Sequence, residues 1–479
     1  MANQSFARKV ASSVLYSGIG NITSRLVNAG ALLYTLKVIT ESDLGIANLA
    51  IGFFASFKAL TQLGLGAALV QEKRISRLQI DSLFWVSFIL SLFIYMIVFF
   101  AAPYIAWFYE APTLSPLIRV FGLGIIAFSL YMIPRKMMIK DLDFKRLAIG
   151  DNLALTASAG LMIYMAYNGL GAWAIVLAEF SNKIGQMLFC QFFRPYLPRL
   201  QFDYQKVKHL INFGMFTTGS RFFQQFFMNV DYMIIGAFFS KEVLGIYSFA
   251  YRLIFDPVKE LVTVVNRVAY PAFSELQDDV GRLKNYFFTI TRGSMLMVGV
   301  VLMIIGAYID WFLPLIGYDK WLPAVPYIRL FAVAGILQSL ITILPRLLNA
   351  HGQARPNFYF TGLTAATLTL SFLITAQFSV TAVSLTWLTV YPLVSVVLFF
   401  YAAKIVELPM LTFIYKSLSA FSMLIPLTAF TILMRVAISY ALPTEYHILG
   451  IGAAVLLSLG VSALLIWYRE KEVINAIRG

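Results

Sequence analysis

The chain has 479 residues, of which 60% are hydrophobic and only 13% charged, with a formal net charge of +14. A soluble domain is about 45–50% apolar and about 25% charged, so no soluble fold of this length hides that much apolar surface and the solvent is lipid. The single cysteine, Cys190, excludes a disulfide framework or thiolate metal cluster, and His209, His351 and His447 offer no metal spacing.

Arg8 and Lys9 precede an apolar stretch too long for a signal peptide and lacking a small-residue cleavage site, so it is read as the first membrane span. Fourteen spans are predicted, near 11–37, 43–69, 82–107, 117–138, 148–168, 171–193, 210–238, 243–268, 286–309, 324–348, 357–377, 380–403, 417–440 and 446–468. They are rich in Leu, Ile, Phe and Ala without strict alternation, which predicts helices rather than barrel strands. The fold class is thus an all-α integral membrane protein. Basic residues test the count. Alternate connections carry clusters such as Arg135, Lys136, Lys140, Lys145 and Arg146, or Arg194, Arg199, Lys206 and Lys208, whereas the opposite loops carry only Lys241 and Lys320. The positive-inside rule then places both termini of this multi-pass protein in the cytoplasm, and explains the basic excess without nucleic acid. No connection is long enough to hold a soluble catalytic domain.

The two halves repeat. Leu44-Gly45-Ile46 with Ala50 recurs as Leu244-Gly245-Ile246 with Ala250, and Ile118-Arg119, Phe121, Ser129-Leu130 and Pro134-Arg135 recur as Ile328-Arg329, Phe331, Ser339-Leu340 and Pro345-Arg346. An even number of spans separates the copies. The prediction is two six-helix bundles, 1–200 and 201–408, related by a pseudo-twofold axis along the membrane normal, with helices 13 and 14 in 409–479 outside the repeat. In parallel-repeat transporters the substrate sits between the halves.

Charge inside the spans marks the candidate site. Asn21, Arg25 and Asn28 share one face of the first helix, and Arg221, Gln225 and Asn229 share one face of the seventh. Lys58 of the second helix matches Lys259 of the eighth, which also carries Arg252, Asp256 and the helix-kinking Pro257. A charge at the bilayer centre costs at least about 2.5–3.5 kcal/mol, so symmetric cations point to a cationic cavity that receives an anionic group. The competing reading is pairing within the protein, Arg252 with Asp256 or Arg221 with Asp231. Asp231, Asp256 and the lone acid Glu179 are candidate sites for a coupling cation. Arg119, Arg329, Lys183, Arg267 and Arg292 sit near span ends and snorkel, and Arg435 has no evident partner. No phosphate loop, metal pair or nucleophile–base arrangement is present, so the chain is read as a transporter and not an enzyme.

The stretch 231–275, DYMIIGAFFSKEVLGIYSFAYRLIFDPVKELVTVVNRVAYPAFSE, with LGIANLA at 44–50 and IRVFGLGIIAFSLYMIPRKMM at 118–138, resembles the polysaccharide-export flippases of the multidrug/oligosaccharidyl-lipid/polysaccharide exporter superfamily. It is most similar to the branch of colanic acid and teichuronic acid exporters. The resemblance implies fourteen helices, alternating access and an oligosaccharide repeat unit on undecaprenyl pyrophosphate as substrate. It implies cavity roles for Arg25, Lys58, Arg221, Arg252 and Lys259. Membrane lipid, a polysaccharide polymerase and export machinery are the expected partners. The repeat makes a monomer self-sufficient. No cofactor is expected, and the drive is a proton, sodium or the membrane potential. A drug or cation antiporter, a peptidoglycan-precursor flippase and a membrane-embedded glycosyltransferase or polymerase are the competing functions. The first calls for deep acids, the second for the same lipid pyrophosphate, and the third for a catalytic acid on a large loop.

Overall fold

In lipid every backbone N–H and C=O must be satisfied within its own segment, and the apolar runs of this chain fold accordingly. The structure, a computed structural model, describes residues 24–61, 75–141, 143–441 and 447–469. Asn21, the opening residues of the first span, and the basic residues Arg8, Lys9, Lys73, Arg74, Lys471 and Arg478 lie outside the described residues.

Helix α1 covers 24–38. It is followed by α2 (Glu41–Thr61), α3 (Arg77–Phe108), α4 (Leu114–Lys140), α5 (Phe144–Tyr167), α6 (Ala172–Phe193), α7 (Tyr204–Phe227), α8 (Val230–Phe238) and α9 (Lys241–Glu275). Then come α10 (Val280–Leu315), a 3₁₀ turn (Asp319–Ala324), α11 (Val325–Ile341), α12 (Leu344–Ala350), α13 (Ala354–Thr375) and α14 (Val380–Leu388). The last elements are α15 (Val390–Ile405), α16 (Met410–Ser417), α17 (Phe421–Ala441) and α18 (His447–Arg469). Side-chain caps set several starts. Ser76 and Gln79 form a reciprocal capping box on α3, and Asp143, Asp203, Asp279 and Ser379 accept from first-turn amides of α5, α7, α10 and α14. Each cap stabilises its helix by about 1 kcal/mol.

Among the described residues, nine segments are long and apolar enough to cross a membrane. Helices α6, α7 and α9, counted as spans from the sequence, are not among them. Polar and charged side chains such as Arg221, Gln225, Arg252, Asp256 and Lys259 dilute the apolar character of α7 and α9. The predicted seventh span is not one helix. α7 ends at Phe227, and Asn229, at φ −131°, caps the short α8. The predicted twelfth span likewise breaks at Thr389, between α14 and α15. Helix α9, by contrast, runs on through Pro257 and Pro271.

The chain forms two compact units, one ending at Gly245 and the other beginning at Ile246. In the first, α2 is the central helix, packed against α4, α6, α7 and α8. Its small buried residues, Gly45, Ala47, Ala50, Gly52, Ser56 and Ala59, let neighbouring backbones approach. A Cβ on Gly245 would collide with the Glu41 carbonyl, and one on Gly45 with the Lys241 carbonyl, so the repeated Leu-Gly pair marks one close helix crossing inside this unit. Helix α3 turns Phe93, Phe100, Tyr104, Trp107 and Phe108 outward, the surface that acyl chains cover. In the second unit, Tyr247, Tyr251 and Phe255 line one face of α9 and pack on Phe331 and Trp387. Trp387 Nε1 donates to the Tyr247 hydroxyl at 3.2 Å.

Each unit contains the same local arrangements. Arg119 Nε donates to the Phe99 carbonyl at 3.2 Å, and Arg329 Nε to the Gly306 carbonyl at 3.1 Å. Ser129 caps back to Ile126 and Ser339 to Ile336, both at 2.7 Å. Phe54 stacks on Phe121 at 4.1 Å between ring centres, and Phe255 meets Phe331 at 5.4 Å.

Candidate functional site

Lys58 is the sequence-predicted cation with the most developed surroundings. It is half-buried near the end of α2, where its ammonium lies 4.9 Å from the centre of the Phe128 ring and 5.7 Å from that of Phe54. Among the described residues it makes no ion pair. The charges that act on it are those of Lys183, Glu179 and Arg135. All three are matched locally. Glu179 lies 3.8 Å from Lys183 one turn along α6, which corrects the reading of Glu179 as a lone acid. Arg135 holds Asp151 of α5 through two bonds of 2.7 and 2.8 Å, a fork-on-carboxylate geometry that fixes both side chains. The ring faces, negative at their centres, hold the ammonium without a carboxylate. This arrangement can receive an anion, because a cation held on aromatic faces keeps its capacity for a charge-assisted bond.

Arg25 and Arg221 are exposed, and Asn28 and Gln225 are half-buried. Lys136 of α4 lies within electrostatic range of Arg221 and Arg135. Asn229 falls off the predicted stripe because α7 stops before it. Its side-chain amide donates back to the Gln225 carbonyl at 2.6 Å, and it packs beside Gly52 of α2. Asp231 is fully buried, and one of its oxygens accepts from the Tyr232 amide at 2.9 Å.

In the second unit, Arg252 and Asp256 form the i, i+4 pair expected from their spacing, at 3.8 Å, with Asp256 and Lys259 exposed. These three occupy the side of α9 away from its aromatic face, so the helix is amphipathic over these two turns. Arg435, without an evident partner in the sequence, donates to Asp310 at 2.6 Å and to the Ala307 carbonyl at 2.6 Å. Arg329 reaches the same Asp310 at 3.0 Å, so one carboxylate of α10 ties α11 and α17 together.

The sequence reading missed Phe128, Arg135, Asp151 and Asp310. An acid eight residues into an apolar helix (Asp151) was the available signal. Arg135 was hidden because α4 continues through Pro134 to Lys140, carrying into a helix a residue grouped with loop cations.

At the other end of the first unit, Tyr109 donates to the Met233 carbonyl at 3.0 Å and burial pushes its hydroxyl up to about 12. Lys241 sits over that ring at 5.7 Å, donates to Gly236, and is lowered by burial against the pull of Glu110 and Glu242.

The profile of a family described as "Polysaccharide biosynthesis protein" matches residues 37–326. Teichuronic acid biosynthesis protein TuaB of Bacillus subtilis is 27% identical over 77% of this chain and 76% of its own length. Lipopolysaccharide biosynthesis protein WzxC of Escherichia coli is 24% identical over 74% of this chain and 73% of its own. Among solved structures, the lipid II flippase MurJ in an inward closed conformation superposes with a TM-score of 0.70 at 14% identity, covering 96% of this chain and all of that one. An inward-facing multidrug resistance MATE transporter of the MOP superfamily gives 0.62 at 16% identity over 80% of this chain and 94% of that one. At such identities the two structures establish the fold alone.

Proposed function

The chain belongs to the polysaccharide biosynthesis protein family, and on that premise we propose that it flips an undecaprenyl-pyrophosphate-linked oligosaccharide across the cytoplasmic membrane by alternating access. The observation that carries the proposal is Lys58, an ammonium held on two aromatic rings with no ion pair among the described residues. A glycan cannot cross hydrocarbon unaided, since each unsatisfied polar group costs several kcal/mol. A polar path with cations on it shields the sugars and binds the pyrophosphate. Within the first unit, the exposed Arg221 of α7 supplies a further cation for such a path.

The full architecture belongs to the same proposal: fourteen helices, two six-helix bundles related by an axis along the membrane normal, and two further helices at 409–479. The local arrangements shared by the two units support duplication. Both termini lie in the cytoplasm, the working form is a monomer, and the chain acts by transport rather than catalysis. Asp231, Asp256 and Glu179 are the sites where a proton or sodium would couple. A peptidoglycan-precursor flippase shares the pyrophosphate chemistry and is separated from this reading by the glycan carried. An antiporter of organic cations calls for deep acids, and the acids Glu179 and Asp256 stand beside cations here.

The test is transport of a fluorescent undecaprenyl-pyrophosphate oligosaccharide in liposomes by wild type and by an Arg25→Ala/Arg221→Ala variant. The reading predicts transport by wild type that collapses in the folded variant. Proton- or sodium-driven uptake of an organic cation, with no glycan moved, overturns it.

A further inference from the structure

The connection between α6 and α7 carries a pattern that transport does not use. Residues 194–203 follow α6, which ends at Phe193, and make no helix until Tyr204. Their backbone is nonetheless fixed at three points, at 197, 199 and 203, by the first turns of α3. Arg77 donates to the Leu197 carbonyl at 2.6 Å, Trp85 Nε1 to the Arg199 carbonyl at 2.8 Å, and the Asp203 amide donates to Ser82 at 2.9 Å. Tyr196 anchors the segment inward. It is buried, donates to the fully buried Asp81 at 2.6 Å, and carries the Arg77 guanidinium 4.7 Å above its ring.

Between these anchors the remaining apolar side chains point away from the protein. Leu197 is 83% exposed, Leu200 89% and Phe202 57%, and Phe192 just before them is 78% exposed. Arg194, Arg199, Lys206 and Lys208 alternate with them; Arg194 lies 3.1 Å from Asp141 and Lys206 3.8 Å from Asp203, while Arg199 and Lys208 make no ion pair among the described residues. A strapped backbone cannot fold these leucines back into the protein, and a soluble face would not keep such large apolar groups in water. Apolar side chains interleaved with cations at the end of a span predicted from the sequence match the boundary between headgroups and acyl chains.

We infer that residues 192–202 form an interfacial anchor that inserts Leu197, Leu200 and Phe202 into the adjacent leaflet while Arg199, which makes no ion pair among the described residues, binds anionic phospholipid headgroups. Because the segment is bonded to α3, its seating sets the depth of that helix against the headgroups. The occupant is the lipid surface itself: the charge complements acidic headgroups and the apolar tips complement the acyl region.

The experiment uses the full chain reconstituted in vesicles of defined lipid. Cys190 is buried, so a polarity-sensitive thiol dye attached to a Leu200→Cys variant reports on the loop, with unsubstituted protein as the labelling control. In vesicles containing anionic phospholipid the dye is expected to shift to the blue, to be quenched by a spin label on the lipid chains, and to resist aqueous iodide. A Gln205→Cys label is expected to stay open to iodide. An added Arg199→Gln substitution, which breaks no ion pair among the described residues, is expected to move the Leu200→Cys dye toward water. A water-like, iodide-quenched dye at Leu200→Cys in anionic vesicles overturns the inference. So does shielding that appears only in native membranes, which would assign the surface to a protein partner.

Discussion

Replacing Asp310 with asparagine removes the charge that two arginines share. In the structure one carboxylate oxygen accepts from Arg435 at 2.6 Å and lies 3.0 Å from Arg329. A hydrogen bond to a charged group is worth about 1.5–3 kcal/mol when it is desolvated. Here the side chains of Asp310 and Arg435 are 24% and 25% exposed and that of Arg329 is 44% exposed, so screening trims both terms. Both arginines also keep a second partner. Arg435 retains the Ala307 carbonyl and the Trp311 ring at 5.0 Å, and Arg329 retains the Gly306 carbonyl. The expected loss for Asp310→Asn is therefore about 2 kcal/mol in total, rather than the sum of two full bonds. The assay is equilibrium unfolding in mild detergent of Asp310→Asn, Arg435→Met and the double variant, read by tryptophan fluorescence. The account predicts coupling of about 1–2 kcal/mol between the two positions. Single effects that simply add, or an Asp310→Asn variant as stable as wild type, would refute the idea that this carboxylate docks α17.

The other predictions are more local. Tyr196→Phe leaves the fully buried Asp81 with Arg77 at 3.3 Å as its remaining charge partner, and is expected to lower stability by about 1–3 kcal/mol in the same assay. Gly245→Ala forces a Cβ against the Glu41 carbonyl and should cost about 1–3 kcal/mol, whereas Gly160→Ala, with open space around it, should not. Lys58→Met is expected to cut glycan-lipid transport at least about tenfold, the equivalent of about 1.4 kcal/mol, while Lys58→Arg preserves most of it. Because burial raises Tyr109 to about 12, the neutral hydroxyl is the folded form. Its stabilisation is complete below the ordinary tyrosine value near 10 and is lost as pH rises toward 12. Tyr109→Phe should accordingly lose less stability than wild type across that window.

Much of the helical framework was legible because apolar runs of membrane-spanning length leave few alternatives. The departures occur where local bonds beat hydrophobicity. Asn229 breaks the predicted seventh span since its side chain returns to the Gln225 carbonyl rather than continuing a polar stripe. Arg252 and Asp256 were readable from i, i+4 spacing, and so in principle was Glu179 with Lys183, two residues that the sequence reading treated separately. Arg435 and Asp310 are 125 residues apart, and no periodicity connects them. The rings beneath Lys58 divide the same way. Phe54 is one turn away on the same helix, whereas Phe128 comes from α4 and is placed only by packing.

The central claim is that cations of this chain carry a glycan through its pyrophosphate. The most direct measurement compares, in one set of proteoliposomes, translocation of a fluorescent oligosaccharide on undecaprenyl pyrophosphate with that of the same oligosaccharide on an uncharged polyprenol. The account predicts that the pyrophosphate-linked glycan crosses and the neutral one does not. Equal transport of both, or transport of neither, would contradict it.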